Sequence, residues 1–183
     1  MAAVATVHGR KRISEFLRGA EWKQGTTWSV FVGRIGLGFL FLWSASQKVL
    51  TELGGKMATA GFLGGPSVAS GPFAGFFNSL SGNWAVEYLV VYGELFVGVA
   101  LLFGIFTRVG AIGGALLMLL FTVTMWPVAD KAGDNPIVDV RVIYGLMLVM
   151  FYFLRPGRFL GLDRFLEGAS FVKRHPRLAL LLG

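Results

Sequence analysis

The chain has 183 residues, of which 55% are hydrophobic and 15% charged, and its mean hydropathy is +0.66. A soluble domain carries about a quarter charged residues, so this composition favours a membrane protein. A net charge of +7 often indicates a nucleic-acid partner, but here the apolar content argues against one. Because the chain contains no cysteine, disulfides, iron–sulfur clusters and covalently attached haem are excluded.

Four apolar stretches are long enough to cross a bilayer, which takes roughly 20 helical residues. They predict spans at about 28–50, 84–106, 107–128 and 137–154. The third has a charge only at its start, Arg108, whereas the fourth is short and carries Asp139 and Arg141 in its first turns. We therefore predict an all-α, polytopic membrane protein whose transmembrane domain is a four-helix bundle of residues 28–154.

Amphipathic interfacial helices are predicted at both ends of this bundle. In the first terminal segment, residues 1–27, one apolar helical face lies among basic residues and contains Ile13, Phe16, Leu17 and Ala20. Because this segment lacks an apolar core before a small-residue cleavage site, we do not expect it to be a secretory signal peptide. In the second, residues 155–183, the sequence Arg-Pro-Gly-Arg ends the fourth span and a short amphipathic stretch follows near 163–172.

The long outer loop, residues 51–83, joins the first two spans. It is rich in glycine and also contains Phe62, Phe73, Phe76 and Phe77, which a solvated linker would not require. We interpret it as a cap folded over the outer mouth of the bundle. A hydrophobic loop lying on the lipid surface is the alternative.

The distribution of lysine and arginine predicts the orientation of the chain in a cell membrane. Basic residues are concentrated in the two terminal segments and at Arg108. The opposite side has only Lys48, Lys56, Lys131 and Arg141. The positive-inside rule therefore puts both termini in the cytoplasm, where the basic segments would lie against anionic lipid.

Charged residues inside the spans are candidate functional groups, because each costs at least about 2.5 kcal/mol near the bilayer centre. Glu94 lies roughly 15 Å into the second span, near the midplane. Near the outer boundary, one polar cluster is expected to contain Lys48, Glu87, Asp139 and Arg141, with Gln47 beside it. Arg34 could extend toward Glu94 and form a structural ion pair. Small residues, among them Gly38, Gly110 and Gly114, predict close helix packing.

The positions of the two histidines and the spacing of the acidic residues limit which cofactors the spans can hold. His8 and His175 both lie outside the spans, so a haem held by two histidines within the bundle is excluded. No cluster has the spacing of metal ligands. We expect no intrinsic cofactor and no metal site, and any redox role would use a diffusible quinone or a cofactor on a partner chain.

Several segments resemble the DoxX/DoxD-like membrane proteins, namely 34–49, 71–83, 88–117, 135–148 and 157–166. The most specific motif comprises Gly93-Glu94, Gly98, Leu101, Gly104 and Phe106-Thr107-Arg108, and it is accompanied by Arg34, Gln47-Lys48 and Gly161-Leu162-Asp163. DoxD is the small subunit of thiosulfate:quinone oxidoreductase. The resemblance implies a four-helix membrane bundle and a redox role beside a second subunit.

Two functions remain open. The first is a subunit of a thiosulfate:quinone oxidoreductase-like enzyme, with Glu94 and Arg141 as catalytic residues. Thiosulfate would bind near Lys48 and Arg141, and quinone would enter near Trp43 and Tyr92, with Gln47, Glu87 and Asp139 as further binding residues. The second is a non-catalytic accessory or scaffold subunit of a larger membrane redox complex, in which the same polar residues are structural.

Overall fold

A computed structural model describes residues 24–69, 71–126 and 138–169, together with 172, 174, 181 and 182. These residues are helical or irregular and include no strand. The helices are α1 (Gln24–Leu53), α2 (Ala58–Leu63), α3 (Pro66–Ala69), α4 (Ala74–Ser79), α5 (Trp84–Phe103), α6 (Thr107–Thr124), α7 (Val140–Leu154) and α8 (Asp163–Gly168), with a 3-10 turn at Pro156–Arg158. The predicted N-terminal amphipathic helix lies outside the described residues.

The four long helices correspond to the four predicted spans. Among the described residues, α1, α5 and α6 are long and apolar enough to cross a membrane, and α7 is a shorter apolar helix. The predicted all-α membrane bundle is therefore confirmed, although individual boundaries differ. The second span ends at Phe103 because Gly104 adopts a left-handed conformation, with φ 67°, and donates its N–H to the carbonyl of Ala100.

Neighbouring helices pack in the order α1, α5, α6, α7. Their shared core contains Leu37, Phe41, Val97, Leu101, Ala111, Leu117, Met118, Leu148 and Phe151, so all four helices contribute to it. Large apolar side chains such as Phe39, Leu89 and Phe153 remain exposed on the outside of the bundle. Such a surface is what a lipid environment requires.

Glycine lets the backbones of α1 and α5 touch. A Cβ atom on Gly38 would lie 2.8 Å from the backbone nitrogen of Leu102, and one on Gly98 would lie 2.7 Å from that of Leu42. Gly110 is equally close to Ala100, across the α5–α6 contact. Larger residues at these positions would force the helices apart, as the small-residue spacing predicts.

Residues 58–80 fold against one end of the bundle as three short helices, α2 to α4. Buried Leu63, Val68 and Phe77 pack together there, with Val86 of α5 and Val123 of α6 against them. Phe73 and Phe76 remain exposed. We call residues 58–80 the cap, the covered end of the bundle the cap end, and the opposite end the turn end, since the α5–α6 turn lies there.

Candidate functional site at the cap end

A cavity of about 330 Å³ lies between the four long helices, directly beneath α2 of the cap. Its apolar walls include Phe41, Phe62, Met118 and Phe121. Its polar lining consists of Ser44, Lys48, Thr59, Glu94, Arg141 and Tyr144. The structure therefore brings three of the predicted site residues, Lys48, Glu94 and Arg141, into one cavity.

Glu94 is buried and is bound by two side chains of α1. Its Oε2 accepts hydrogen bonds from Lys48 Nζ at 2.5 Å and from Ser44 Oγ at 2.9 Å. Lys48 Nζ also donates to Ser44 Oγ at 2.9 Å, so the three groups form a closed triangle. Ser44 and Lys48 are four residues apart and thus lie on one face of α1. The ion pair offsets part of the cost of burying each charge.

Arg141 binds Asp139 at the start of α7. The carboxylate of Asp139 accepts a hydrogen bond from Arg141 Nη1, and its other oxygen accepts one from the backbone N–H of Val140 at 2.6 Å. Asp139 thus holds the first turn of α7 and orients the guanidinium beside the cavity. Asp139 itself does not line the cavity.

Glu87 has different partners from those that its depth in the membrane suggested. It is fully buried, and its carboxylate accepts hydrogen bonds from the backbone N–H groups of Ala58 and Thr59, at 2.7 and 2.8 Å, and from Thr59 Oγ1. The expected cluster of Glu87 with Lys48 and Arg141 is therefore wrong. Glu87 instead attaches the cap to α5, because the first N–H groups of α2 have no acceptor within their own helix.

Gln47, Trp43 and Tyr92 do not line this cavity. Trp43 is 61% exposed and stacks on Phe39, and Tyr92 is 49% exposed beside Tyr88. Gln47 is exposed as well. The structure thus places these three predicted binding residues on the outer faces of α1 and α5, and their role in binding stays a prediction.

The expected pairing of Arg34 with Glu94 is wrong, because Arg34 points toward the turn end. Its guanidinium is fully buried and donates to the carbonyl of Pro156 from Nη1 at 3.1 Å and to that of Leu160 from Nη2 at 3.4 Å. Asp163 is the carboxylate whose charge acts on it. These acceptors are backbone carbonyls far along the chain from Arg34. The hydropathy of the sequence and the depth of Arg34 in its span do not indicate that they bind it.

Asp163 closes the turn end by binding the first residues of α6. Its two carboxylate oxygens accept hydrogen bonds from the N–H of Phe106 at 2.7 Å, and from the N–H and Oγ1 of Thr107 at 3.0 and 2.6 Å. In return, the backbone N–H of Asp163 donates to the carbonyl of Gly104 at 2.8 Å. A carboxylate at a helix N-terminus is stabilising because it binds free N–H groups and complements the helix dipole.

Ser44, Thr59, Phe121 and Tyr144 also belong to the site, although the sequence did not single them out. Spacing could have identified two of them. Ser44 precedes Lys48 by one turn of α1, and Tyr144 follows Arg141 by three residues on α7. Thr59 and Phe121 lie on other elements, and no local spacing connects them to the charged residues.

Comparison with known proteins gives one result. A family model described as DoxX matches residues 29–126, which is more than half of the chain and includes most of α1 together with the cap, α5 and α6. No curated protein and no solved structure matches the chain. From the extent of the family match and the helical membrane fold, the chain belongs to the DoxX family of membrane proteins.

Proposed function

We propose that this DoxX protein is a quinone-linked redox subunit of the cell membrane, and that the cap-end cavity holds the quinone ring. The observation that carries the proposal is the triangle that Lys48 and Ser44 form with buried Glu94 on the wall of an aromatic-lined cavity. The cavity volume of about 330 Å³ is at the lower end of the range for small-ligand sites, about 300–1,000 Å³.

The residues of the cavity suit the chemistry of quinone reduction. A quinone that takes up two electrons must also take up two protons, one at each ring oxygen. Lys48 is a hydrogen-bond donor for one ring oxygen, and Glu94 is a buried acid–base group that can resupply the proton. Arg141 is a donor for the second oxygen, and Phe41, Phe62 and Phe121 provide flat apolar contacts for the ring.

The charges of the cavity favour a neutral ligand over an anion. Lys48 is matched by Glu94, and Arg141 by Asp139, so neither cation is free of an opposing charge. A dianion such as thiosulfate would lack the excess positive charge that its desolvation requires. We therefore assign oxidation of the sulfur anion to a partner subunit, where two thiosulfate ions would join through an S–S bond and release the two electrons that reduce the quinone.

We also propose that the turn end faces the cytoplasm and contacts anionic lipid. Arg108 lies in the first turn of α6 at this end, and Arg155 and Arg158 follow the end of α7. Partial burial, and then the nearby charges of Arg108 and Arg158, lower the pKa of Arg155 from its ordinary value. Such crowding of cations is favourable beside an anionic lipid surface and matches the positive-inside rule.

Thiosulfate-dependent quinone reduction by membranes tests the redox proposal. Glu94→Gln is expected to lower the rate about 100-fold, because the amide cannot exchange the proton. Arg141→Met is expected to lower it as well. Glu167→Gln is the matched control, since Glu167 pairs with Arg158 at the turn end. Equal rates with and without the protein, or an unchanged rate in Glu94→Gln, would contradict the proposal.

One observation favours the accessory-subunit alternative. Both ion pairs at the cap end are internally neutralised, as structural pairs in a membrane bundle would be. Purification of the complex in mild detergent separates the two functions. A scaffold would still bind its partner subunits, and quinone reduction by the complex would be unaffected by Glu94→Gln. With a redox subunit, the Glu94→Gln variant would still bind its partner subunits, but the complex would lose quinone reduction.

A further inference from the structure

A groove of about 460 Å³ runs along the lipid-facing side of the bundle, between α6 and α7. Its lining is almost entirely apolar. It extends from Arg141 near the cap end to Tyr152 and Phe153, which is roughly 17 Å at the rise of an α-helix. Several of its side chains are exposed, including Leu116, Leu119 and Leu146.

The groove meets the cap-end cavity. Met118 of α6 and Arg141 of α7 line both spaces, so the two are adjacent at this pair of side chains. A ligand in the cavity would therefore reach the groove by passing between these two side chains, next to the contact of α6 with α7 at Met118 and Gly145.

The bundle is closed at two other helix contacts, α1–α5 and, near the turn end, α5–α6. The backbones of α1 and α5 touch at Gly38 and Gly98, where even one added carbon would lie within 2.8 Å of the neighbouring backbone. At the α5–α6 contact, a carbon added to Gly110 would lie 2.7 Å from Ala100. The seam near Trp43 and Tyr92 is thus closed, and the sequence-based expectation that quinone enters there is not supported by this packing.

We propose that the ligand is a prenyl-tailed quinone whose isoprenoid chain leaves the cavity between Met118 and Arg141 and lies in the α6–α7 groove. This inference rests on the proposed function, since it requires the ring to occupy the cavity. A long tail does not fit with the ring in about 330 Å³ and must leave. In a bilayer the tail gains nothing from burial itself, because lipid is equally apolar. The groove matters because it lets the tail leave while the helices stay packed.

Gly145→Leu tests the path where the groove and the cavity meet. Gly145 lies one turn after Arg141 and lines the groove. A Cβ atom there would be 3.6 Å from the Cβ of Met118, which is an ordinary contact, so the first carbon fits and the remainder occupies the groove. Ile143→Phe is the control, because Ile143 lies on the same helix, is exposed and lines neither space.

Binding of two probes to the protein in nanodiscs is measured by quenching of tryptophan fluorescence. The probes are ubiquinone with a four-unit isoprenoid tail and the same ring without a tail. Gly145→Leu is expected to raise the Kd of the tailed probe about tenfold, since overpacking opposes the tail, and to leave that of the tailless ring unchanged. Ile143→Phe is expected to change neither.

The other possible outcomes separate a failure of the tail path from a failure of the ring site. An unchanged Kd of the tailed probe in Gly145→Leu, or an equal increase for both probes, would overturn the tail path while the ring site stands. If neither probe binds the wild-type protein, the proposed function fails as well. Leu146→Trp adds bulk from an exposed position of the groove, so it keeps the inference falsifiable if Gly145→Leu does not fold.

Discussion

The two ends of the bundle both bury charged side chains, but only one of them leaves room beside the charges. At the turn end, Arg34 is enclosed by backbone, and a Cβ atom on Gly104 would lie 2.3 Å from its Nη1 and 2.6 Å from the Cα of Gly161. At the cap end, Lys48 and Glu94 face a cavity. A buried charge in a membrane protein costs free energy at either end. The space beside it distinguishes a structural charge from one that can meet a ligand.

The strongest test of this comparison is removal of the structural charge. Arg34→Met would leave the carbonyls of Pro156 and Leu160 without their donor and Asp163 without the nearby positive charge. We expect a loss of about 3–5 kcal/mol in the free energy of unfolding, measured by denaturant titration in detergent.

Arg158→Met is the control for that experiment. Arg158 is 45% exposed and pairs with Glu167 at the surface, so its loss is expected to cost at most about 1 kcal/mol. Similar losses in the two variants would contradict a structural role specific to the buried arginine.

Gly104→Ala tests how tightly the turn end encloses Arg34. Gly104 and Gly82 both have positive φ, 67° and 79°, but only Gly104 has neighbours within 4 Å of an added Cβ. Gly82→Ala therefore measures the backbone cost alone, about 1–2 kcal/mol. We expect Gly104→Ala to lose about 1–3 kcal/mol more, because the methyl group would collide with the guanidinium. The losses are measured by thermal unfolding. Equal losses of stability in Gly104→Ala and Gly82→Ala would show that the turn end has room for the added methyl group.

Glu87→Gln sharpens the comparison within the cap end. Glu87 touches the cap rather than the cavity, so its replacement should weaken the cap without removing the Glu94 triangle. Loss of the charged acceptor for Ala58 and Thr59 is expected to cost about 1–3 kcal/mol. Hydrogen exchange at these two amides should accelerate, while that of α5 should not. Unchanged exchange would contradict the assigned role.

The smallest effect on stability is expected when both charges of the cavity are removed together. Lys48→Met combined with Glu94→Gln leaves no uncompensated charge, so the free energy of unfolding should stay within about 1 kcal/mol of the wild-type value. Lys48→Met alone should be more destabilising, since it leaves Glu94 buried without its cation. A large loss in the double variant would mean that this pair holds the bundle together as Arg34 does.

The sequence was sufficient for the four long helices because their signals are local, whereas the three short helices of the cap lie in a segment predicted as a loop. The runs that became α1, α5 and α6 are predominantly apolar, and Gly104 and Asp139 end and begin helices for reasons of backbone conformation and hydrogen bonding. The sequence also placed Lys48 and Arg141 near each other at the outer boundary, and both line the cavity. Glu94, expected near the midplane and beside Arg34, was not assigned to this group.

The partners of these charges could not be derived in the same way. Distance along a helix gives the depth of a residue but not the direction in which a long side chain extends. Arg34 finds carbonyls of a turn more than 120 residues away, and Glu87 finds the first amides of a six-residue helix in the cap. The partners are backbone groups in both cases, carbonyls of a turn and amides at a helix N-terminus, and composition does not reveal them.

The bond between Asp163 and the start of α6 also has a consequence for the order in which the chain is made. The N–H groups of Phe106 and Thr107 obtain their carboxylate from a residue 56 positions beyond Thr107. During synthesis α1, the cap, α5 and α6 therefore exist before this acceptor does, and α7 must be in place as well. The turn end therefore cannot close before Asp163 is synthesised, and a chain that stops short of it would leave these two amides without their carboxylate.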